Sequence, residues 1–483
     1  MQITVILRLV GLFLTLFSFT MLTPIVVSYI YNDQSYEPFL LAFSITLGSG
    51  TLIWLPFRRF KKELRVRDGF IVVVIFWVVL GLFGALPLMF GVKPKISFTD
   101  AVFESVSGLT TTGASVIQDL EILPKSVLYY RQQLHWLGGM GVVVLAVAIL
   151  PMLGIGGMQL YRAETPGPVK DSKLTPRITE TAKALWYVYL GVTAACAMAY
   201  WLAGMTVFDA LTHSFSTVST GGFANYNASM GHYTNPSIAL ISTVFMFVGA
   251  INFSLHFIAW RTLNIKTYWQ DSEFKAYVLI LVVVGTAAAL YLYYSGTFKT
   301  LGPAVIYGFF QTVSMGTSTG FTVINYDQWP VFVLALLLML GFLGGCAGST
   351  AGGLKIIRVL LLYRQGIVEI VRLIHPNAVM QVKIGTKSLP EGIVTAVWGF
   401  FFLYMVTFSL MALVLSMTGL DLITAFSAVA ACINNTGPGL GTVIYNYAHF
   451  SSFGKWVLCF TMLAGRLEIF TLLVIVSPAF WRR

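Results

Sequence analysis

Four stretches share one pattern: residues 100–114 read DAVFESVSGLTTTGA, 209–223 DALTHSFSTVSTGGF, 307–321 YGFFQTVSMGTSTGF and 424–438 TAFSAVAACINNTGP. Aligned on Gly113, Gly222, Gly320 and Gly437, they recur at spacings of 109, 98 and 117 residues. Self-similarity at a fixed period marks a repeat architecture. Each stretch is a moderately apolar run too short to cross a bilayer, followed by a Thr/Ser/Asn–Gly cluster, which suggests a re-entrant segment.

Outward from these stretches the chain is apolar. Of its 483 residues 57% are hydrophobic and 10% charged, well under the roughly 25% charged of a soluble domain, so an ordinary soluble enzyme is excluded. Ten segments suit spanning helices, near 5–30, 38–56, 70–91, 127–151, 184–204, 237–260, 276–295, 330–360, 391–418 and 455–479. The first, with Arg8 inside it, is too long for a cleavable signal. The expected fold is an all-α polytopic membrane protein with ten transmembrane helices. Eight of them form four helix–P-loop–helix repeats around a central pseudo-fourfold pore. The divisions expected are two leading helices (1–68) and repeats at 69–160, 161–262, 263–372 and 373–483.

Lys and Arg fix the orientation. Arg58, Arg59, Lys61, Lys62, Arg65 and Arg67 fall in one loop; Arg162, Lys170, Lys173, Arg177 and Lys183 in the next on that side. Arg261, Lys266 and Lys275 follow, then Arg364, Arg372, Lys383 and Lys387, and the tail ends in Arg482 and Arg483. The positive-inside rule places these loops and both termini in the cytoplasm, in a multi-pass membrane protein. It also accounts for the net charge of +11 without nucleic acid. Cys196, Cys346, Cys432 and Cys459 are scattered and read as buried free thiols. The 161–183 loop either contacts a cytosolic partner or only joins two repeats.

Four polar loops around one axis, inside an apolar shell, describe a pore. Irregular backbone at membrane depth is tolerated where it is buried in protein or lines a watery cavity. Small residues let four extended backbones approach, and their carbonyls can replace the hydration shell of a cation, as the four TVGYG loops of potassium channels do. The candidate filter is Thr110, Thr111, Thr112 and Gly113; Ser219, Thr220, Gly221 and Gly222; Thr317, Ser318, Thr319 and Gly320; and Asn434, Asn435, Thr436 and Gly437. Asp100, Asp209, Tyr307 and Thr424 stand where each preceding helix is expected to begin, three of them as N-caps. The C-terminus of each helix would then face the filter, its partial negative charge favouring a cation.

The eighth segment is interrupted by GFLGGCAGSTAGG at 341–353. Six glycines in thirteen residues would destabilise a helix by about 1 kcal/mol each relative to Ala, so an unwound stretch is expected. Close helix packing through small residues is the other reading, though such density exceeds what packing needs. No Gly-Lys-Ser/Thr phosphate loop is present. Arg466 sits well inside the last segment, where a charge is a functional candidate or half of an ion pair with another helix. Glu104 either adds negative potential near the filter or bonds backbone behind it. Asp119, Glu121 and Asp327 are outer-loop charges, solvated or concentrating cations at the mouth. His135, His213 and His256 lack metal-site spacing and read as structural.

These residues resemble the bacterial Trk/Ktr/HKT superfamily of potassium transporters. The resemblance covers the whole chain, and the family's filter glycine falls on Gly113, Gly222, Gly320 and Gly437. It implies potassium uptake, potassium being the transported ion, with no organic cofactor on this chain. It further implies a homodimer and a cytosolic regulatory subunit of the TrkA type that binds NAD or ATP. It places the 341–353 loop under the filter as a gate, with Gly344, Gly345, Gly348, Gly352 and Gly353, and points Arg466 toward the ion path. Asn434 and Asn435 depart from the family's hydroxyl residues and break the ideal fourfold symmetry. A symporter coupled to sodium or protons is the alternative. Inverted repeats would favour it, whereas these share one orientation. A membrane-embedded enzyme would need convergent acid, base or metal ligands, and no such set is found.

Overall fold

The computed structural model describes residues 2–60, 66–91, 95–141, 178–376, 381–384, 387–388 and 390–482. These are overwhelmingly helical. The described strands are a two-residue antiparallel ladder, Lys383–Ile384 with Lys387–Ser388. The 161–177 part of the candidate partner loop lies outside the described residues, as do Lys61, Lys62, Arg65 and the 142–151 end of the fourth expected segment.

Among the described residues six helices are long and apolar enough to cross a membrane. Their outward faces are apolar and exposed, as at Leu279, Val282, Val283 and Leu290 on Ser272–Tyr294. Such faces are covered by lipid in a spanning helix, not by water. The leading helix Ile3–Thr20 packs closely on Tyr36–Phe57. Gly11 and Gly50 make this possible, since a Cβ at Gly11 would strike the backbone of Trp54 and Gly50.

In three of the four repeats the helix after the polar stretch is broken, whereas the sequence suggests an interruption only at 341–353. Pro236–Gly249 and Phe253–Thr262 meet at 96°, and Ser452–Arg466 and Glu468–Ile475 at 115°. Val331–Leu343 is separated from Ile356–Ile374 by the glycine-rich loop. Lys125–Gly139 stops at Gly138-Gly139-Met140-Gly141, where Gly141 has φ +67°. Hydropathy averaged over a span runs through the breaks at Ile251 and Leu467, because the helices on either side are apolar even though Asn252, Arg466 and Glu468 stand next to the breaks.

Four short helices lie inside this shell: Phe98–Leu109, Val207–Val218, Leu301–Gly316 and Leu422–Ile433. Residues 101–109 are all buried, as are 424–433 apart from half-buried Phe426. The true caps sit three residues before three of the expected ones. Ser97 Oγ accepts from Asp100 N at 3.1 Å, Thr206 Oγ1 from Asp209 N at 3.1 Å, and Asp421 Oδ2 from Thr424 N at 3.0 Å. Asp100 and Asp209 instead occupy the third helical position, where their charge still suits the positive end of the helix. Tyr307 is not a cap, because the third helix starts a turn or more earlier, at Leu301.

Candidate functional site, a ring of four loops over a glycine-rich plug

Each short helix ends in the same way. Thr111 N, Thr220 N, Ser318 N and Asn435 N donate to the carbonyl three residues back. Thr112 N, Gly221 N, Thr319 N and Thr436 N donate to the carbonyl five back, at 2.8 or 2.9 Å. This pair of bonds closes a helix when the residue after the C-cap is left-handed, a position usually held by Gly. Here it is held by Thr111, Thr220, Ser318 and Asn435, with φ of 54°, 52°, 54° and 52°. Residue type alone points to glycine for positive φ, because threonine seldom adopts it.

Two residues on, Gly113, Gly222, Gly320 and Gly437 have φ of 80°, 87°, 81° and 85°. A Cβ at Gly113 would collide with the carbonyl oxygen of Gly221, and one at Gly222 with that of Thr319. At Gly320 it would meet Thr436 O, and at Gly437 it would meet Thr112 O. The contacts run from loop one to two, two to three, three to four and four back to one. The loops therefore close a ring in which each glycine makes room for its neighbour's carbonyl. The twelve candidate filter residues other than these glycines are all buried.

Side chains stitch each loop to its own helix. Thr110 Oγ1 donates to Val106 O and Thr317 Oγ1 to Val313 O, each at 2.7 Å, and each pairs with the hydroxyl two residues on at 2.7 Å. In loop four Asn434 does the same work, with Nδ2 on Ala430 O at 2.8 Å and Oδ1 accepting from Tyr404 at 2.6 Å. Asn435 tolerates the left-handed conformation better than Thr. Its Nδ2 reaches Thr112 Oγ1 at 2.9 Å and Met462 O at 3.0 Å. The departure at Asn434 and Asn435 thus preserves the backbone of the ring while changing which side chains join it.

Residues 344–355 pass beneath the ring. Gly344, Gly348 and Gly353 have φ of 69°, 72° and 76°, so the stretch is a folded loop and not a helix interface. Tight packing is present as well: a Cβ at Gly345 would meet Ala250 O and Ala351, and one at Gly352 would meet Asn434 O. Thr350 Oγ1 lies 3.0 Å from both Val218 O and Gly249 O and 3.2 Å from Thr220 Oγ1. Gly352 N donates to Ser318 Oγ at 2.6 Å.

Arg466 ends its helix and reaches the same place. Its guanidinium donates to Thr111 Oγ1 at 3.2 Å, Thr350 O at 3.0 Å, Gly139 O at 3.1 Å and Gly138 O. The last two are terminal carbonyls of Lys125–Gly139, where a cation is favoured. Glu468, past the break, pairs instead with Arg358 at 2.7 Å.

Two ion pairs brace the ring from outside. Glu104 and Arg131 pair at 2.6 Å, both buried; Glu104 Oε2 accepts from Val116 N at 2.9 Å and Arg131 donates to Ala224 O at 3.3 Å. Of the two readings of Glu104, the geometry supports the backbone-bonding one. Lys455 and Asp100 pair at 2.6 Å, and Tyr447 donates to Gly437 O at 2.6 Å. His135 contacts Ser216 Oγ at 3.0 Å, His213 Asp209 O at 2.9 Å and His256 Val248 O at 3.0 Å, each inside the packing. Among the described residues no His/Cys/Asp/Glu group could hold a metal ion, and the four cysteines are free and buried. In the outer loops Glu121 accepts from Asn227 Nδ2 at 2.7 Å, and Asp327 from Tyr445 at 2.7 Å. Asp119 precedes a short turn of helix at Leu120–Ile122.

Sequence reasoning missed Thr350 and Arg131. Both left a signal. Thr350 and Ser349 are the only hydroxyl residues in a glycine-rich run at membrane depth, and Arg131 opens the polar run RQQLH inside an apolar segment. An intramembrane polar group needs a partner.

An all-helical, multi-span membrane protein built about a ring of four matching polar loops has the architecture of a cation transporter. Comparison with known proteins gives the family. Residues 36–483 match the model of TrkH, described as a cation transport protein. The Trk system potassium uptake protein TrkH of Vibrio parahaemolyticus is 54% identical over 484 residues, and that of Escherichia coli strain K12 is 48% identical over 482, each covering 100% of both chains. TrkG of Escherichia coli K12 is 40% identical over 481. The crystal structure of the potassium transporter TrkH from Vibrio parahaemolyticus superimposes with a TM-score of 0.91 at 51% identity, covering 100% of each chain. The chain belongs to the TrkH family of cation transport proteins.

Proposed function

We propose that this chain takes up potassium through a channel-like pore whose filter is the ring of four loops. The observation that carries this is the cyclic fit of Gly113, Gly222, Gly320 and Gly437 against neighbouring carbonyls. Four backbones held so close present converging oxygens, which can replace the hydration shell of a cation. The helix C-termini behind them add negative potential. Thr110–Gly113, Ser219–Gly222, Thr317–Gly320 and Asn434–Gly437 bind the ion in turn, and the repeats at 69–160, 161–262, 263–372 and 373–483 each contribute one loop.

The 341–353 loop and Arg466 close the path below. Arg466 places a positive charge under the ring, a barrier to any cation leaving it. Ions enter down their electrochemical gradient, the inside-negative potential supplying about 2.3 kcal/mol per charge per 100 mV. The relatives named as Trk system proteins support a further part of the reading. The chain works as a homodimer in the bacterial inner membrane, both termini cytoplasmic, under a TrkA-type cytosolic subunit that binds NAD or ATP and opens the gate.

The test is rubidium uptake into liposomes carrying the chain, with and without that subunit, against sodium and with no second-ion gradient. Potassium-selective uptake without a second gradient is expected. Uptake that appears only with a sodium or proton gradient overturns the channel reading in favour of coupled symport.

A further inference from the structure

The left-handed residues of the ring have side chains that the backbone does not require. Glycine would fill these positions with less strain, since a β-carbon in this region costs roughly 1–2 kcal/mol. Strain kept at a buried position points to a use for the side chain. In three of the four loops that use is the same. Thr220 Oγ1 meets Thr350 Oγ1 at 3.2 Å, Ser318 Oγ accepts from Gly352 N at 2.6 Å, and Thr111 Oγ1 accepts from Arg466 at 3.2 Å. In the fourth loop the backbone makes the contact, Asn434 O lying where a Cβ on Gly352 would be. The plug, together with Arg466, therefore meets every loop of the ring from below.

Thr350 joins these contacts. Its hydroxyl lies between Thr220 and the carbonyls of Val218 and Gly249, and its own carbonyl accepts from Arg466 at 3.0 Å. It is fully buried. Val218 is the last residue of the second short helix, and Thr220 is its left-handed closing residue. A displacement of Thr350 thus acts on the turn that aims the carbonyl of Gly221 into the ring.

We propose that the loop at 344–355 sets the ion preference of the filter as well as blocking the path beneath it, with Thr350 as the positioning residue that ties loop position to ring geometry. This rests on the reading of the ring as a potassium filter. With the plug seated, the three hydroxyls are held downward and the lower turns of the ring are fixed. With the plug withdrawn, Thr220 and Ser318 lose their partners in it, and the turns are held by the helix-closing bonds and the stitches within each loop. Closed and open states then differ in how well they distinguish potassium from sodium.

The experiment reads ion binding and does not need the path to open. The full-length chain in detergent is unfolded by heat across a series of KCl and NaCl concentrations at constant ionic strength. A bound ion raises the unfolding midpoint in proportion to its affinity for the folded state. Wild type is expected to be stabilised at lower potassium than sodium concentration. Thr350→Val, which keeps the shape and removes the hydroxyl, is expected to raise the half-saturating potassium concentration about threefold or more, with sodium little changed. Thr350→Ser restores the wild-type ratio. Ser318→Ala, which removes a clasp from the ring side, moves the ratio in the same direction and decides the matter if Thr350→Val does not fold. A potassium-to-sodium ratio unchanged in whichever of Thr350→Val and Ser318→Ala folds overturns the inference, even if flux rises. Absence of any potassium preference in wild type is a separate result, since it defeats the filter reading itself.

Discussion

Thr111, Thr220, Ser318 and Asn435 show what single residues decide in this molecule. Each closes a helix in a backbone conformation its side chain disfavours, and each is followed two positions later by a glycine for which no other residue fits. The glycines were legible in the sequence, because a Gly that recurs after hydroxyl residues at a fixed period marks a backbone position with no room for a side chain. The left-handed threonines were not, because residue type argues against them and only the assembled ring shows what their hydroxyls reach. Gly113→Ser combines a clash with Gly221 O and a left-handed side chain. On the reading of the ring as the filter, the displaced carbonyls are expected to lose about 1.4 kcal/mol of discrimination, a roughly tenfold loss of potassium preference over sodium. The bi-ionic reversal potential in a planar bilayer measures this; an unmoved potential removes Gly113 from the filter.

At the scale of elements, three of the short helices owe their start to side-chain caps, and all four owe their end to the closing bonds described above. Asp421 caps the fourth, and accepting the N–H of Thr424 holds its carboxyl below the ordinary value. Asp421→Ala is expected to lower stability by about 1 kcal/mol near neutral pH. A carboxyl with a lowered folded pKa contributes fully above its unfolded value, about 3.9, and loses that contribution as pH falls through the folded one. The gap in thermal midpoint between wild type and Asp421→Ala should therefore hold down to about pH 4 and close as the pH falls further. A gap that widens on acidification contradicts the cap. The breaks at Ile251 and Leu467 were hidden from the sequence. A lone glycine shortly before each, Gly249 and Gly465, is ordinary in a spanning helix, and hydropathy averages over a turn. The glycine-rich loop announced itself by composition. Removing residues 345–352 should raise basal rubidium flux severalfold in liposomes, whereas lower flux in a folded protein would make the loop a packing element only.

For the molecule as a whole, hydropathy and the four repeats were enough to infer a multi-span helical fold around an axis. The bonds that shut the ring were not inferable, because they join the two ends of a long chain. Lys455 meets Asp100, Tyr447 N donates to Ser115 O at 2.8 Å, Asn435 reaches Thr112, and Gly437 admits Thr112 O. Lys455→Gln leaves Asp100 partly buried without its cation. A cost on the order of 2 kcal/mol is expected, between the values for exposed and buried pairs, read as a lower unfolding midpoint in detergent.

That seam between loop four and loop one also sets an order of events during synthesis. Loops one, two and three can meet as soon as they are inserted, but the fourth side stays open until the ribosome has passed Gly437 and the helix bearing Lys455 has followed it into the bilayer. A chain cut short by a premature stop codon therefore carries three quarters of a ring and no anchor for it. On the reading of the ring as the ion path, an unfinished copy lacks a closed filter, because the ring is the last part to be completed.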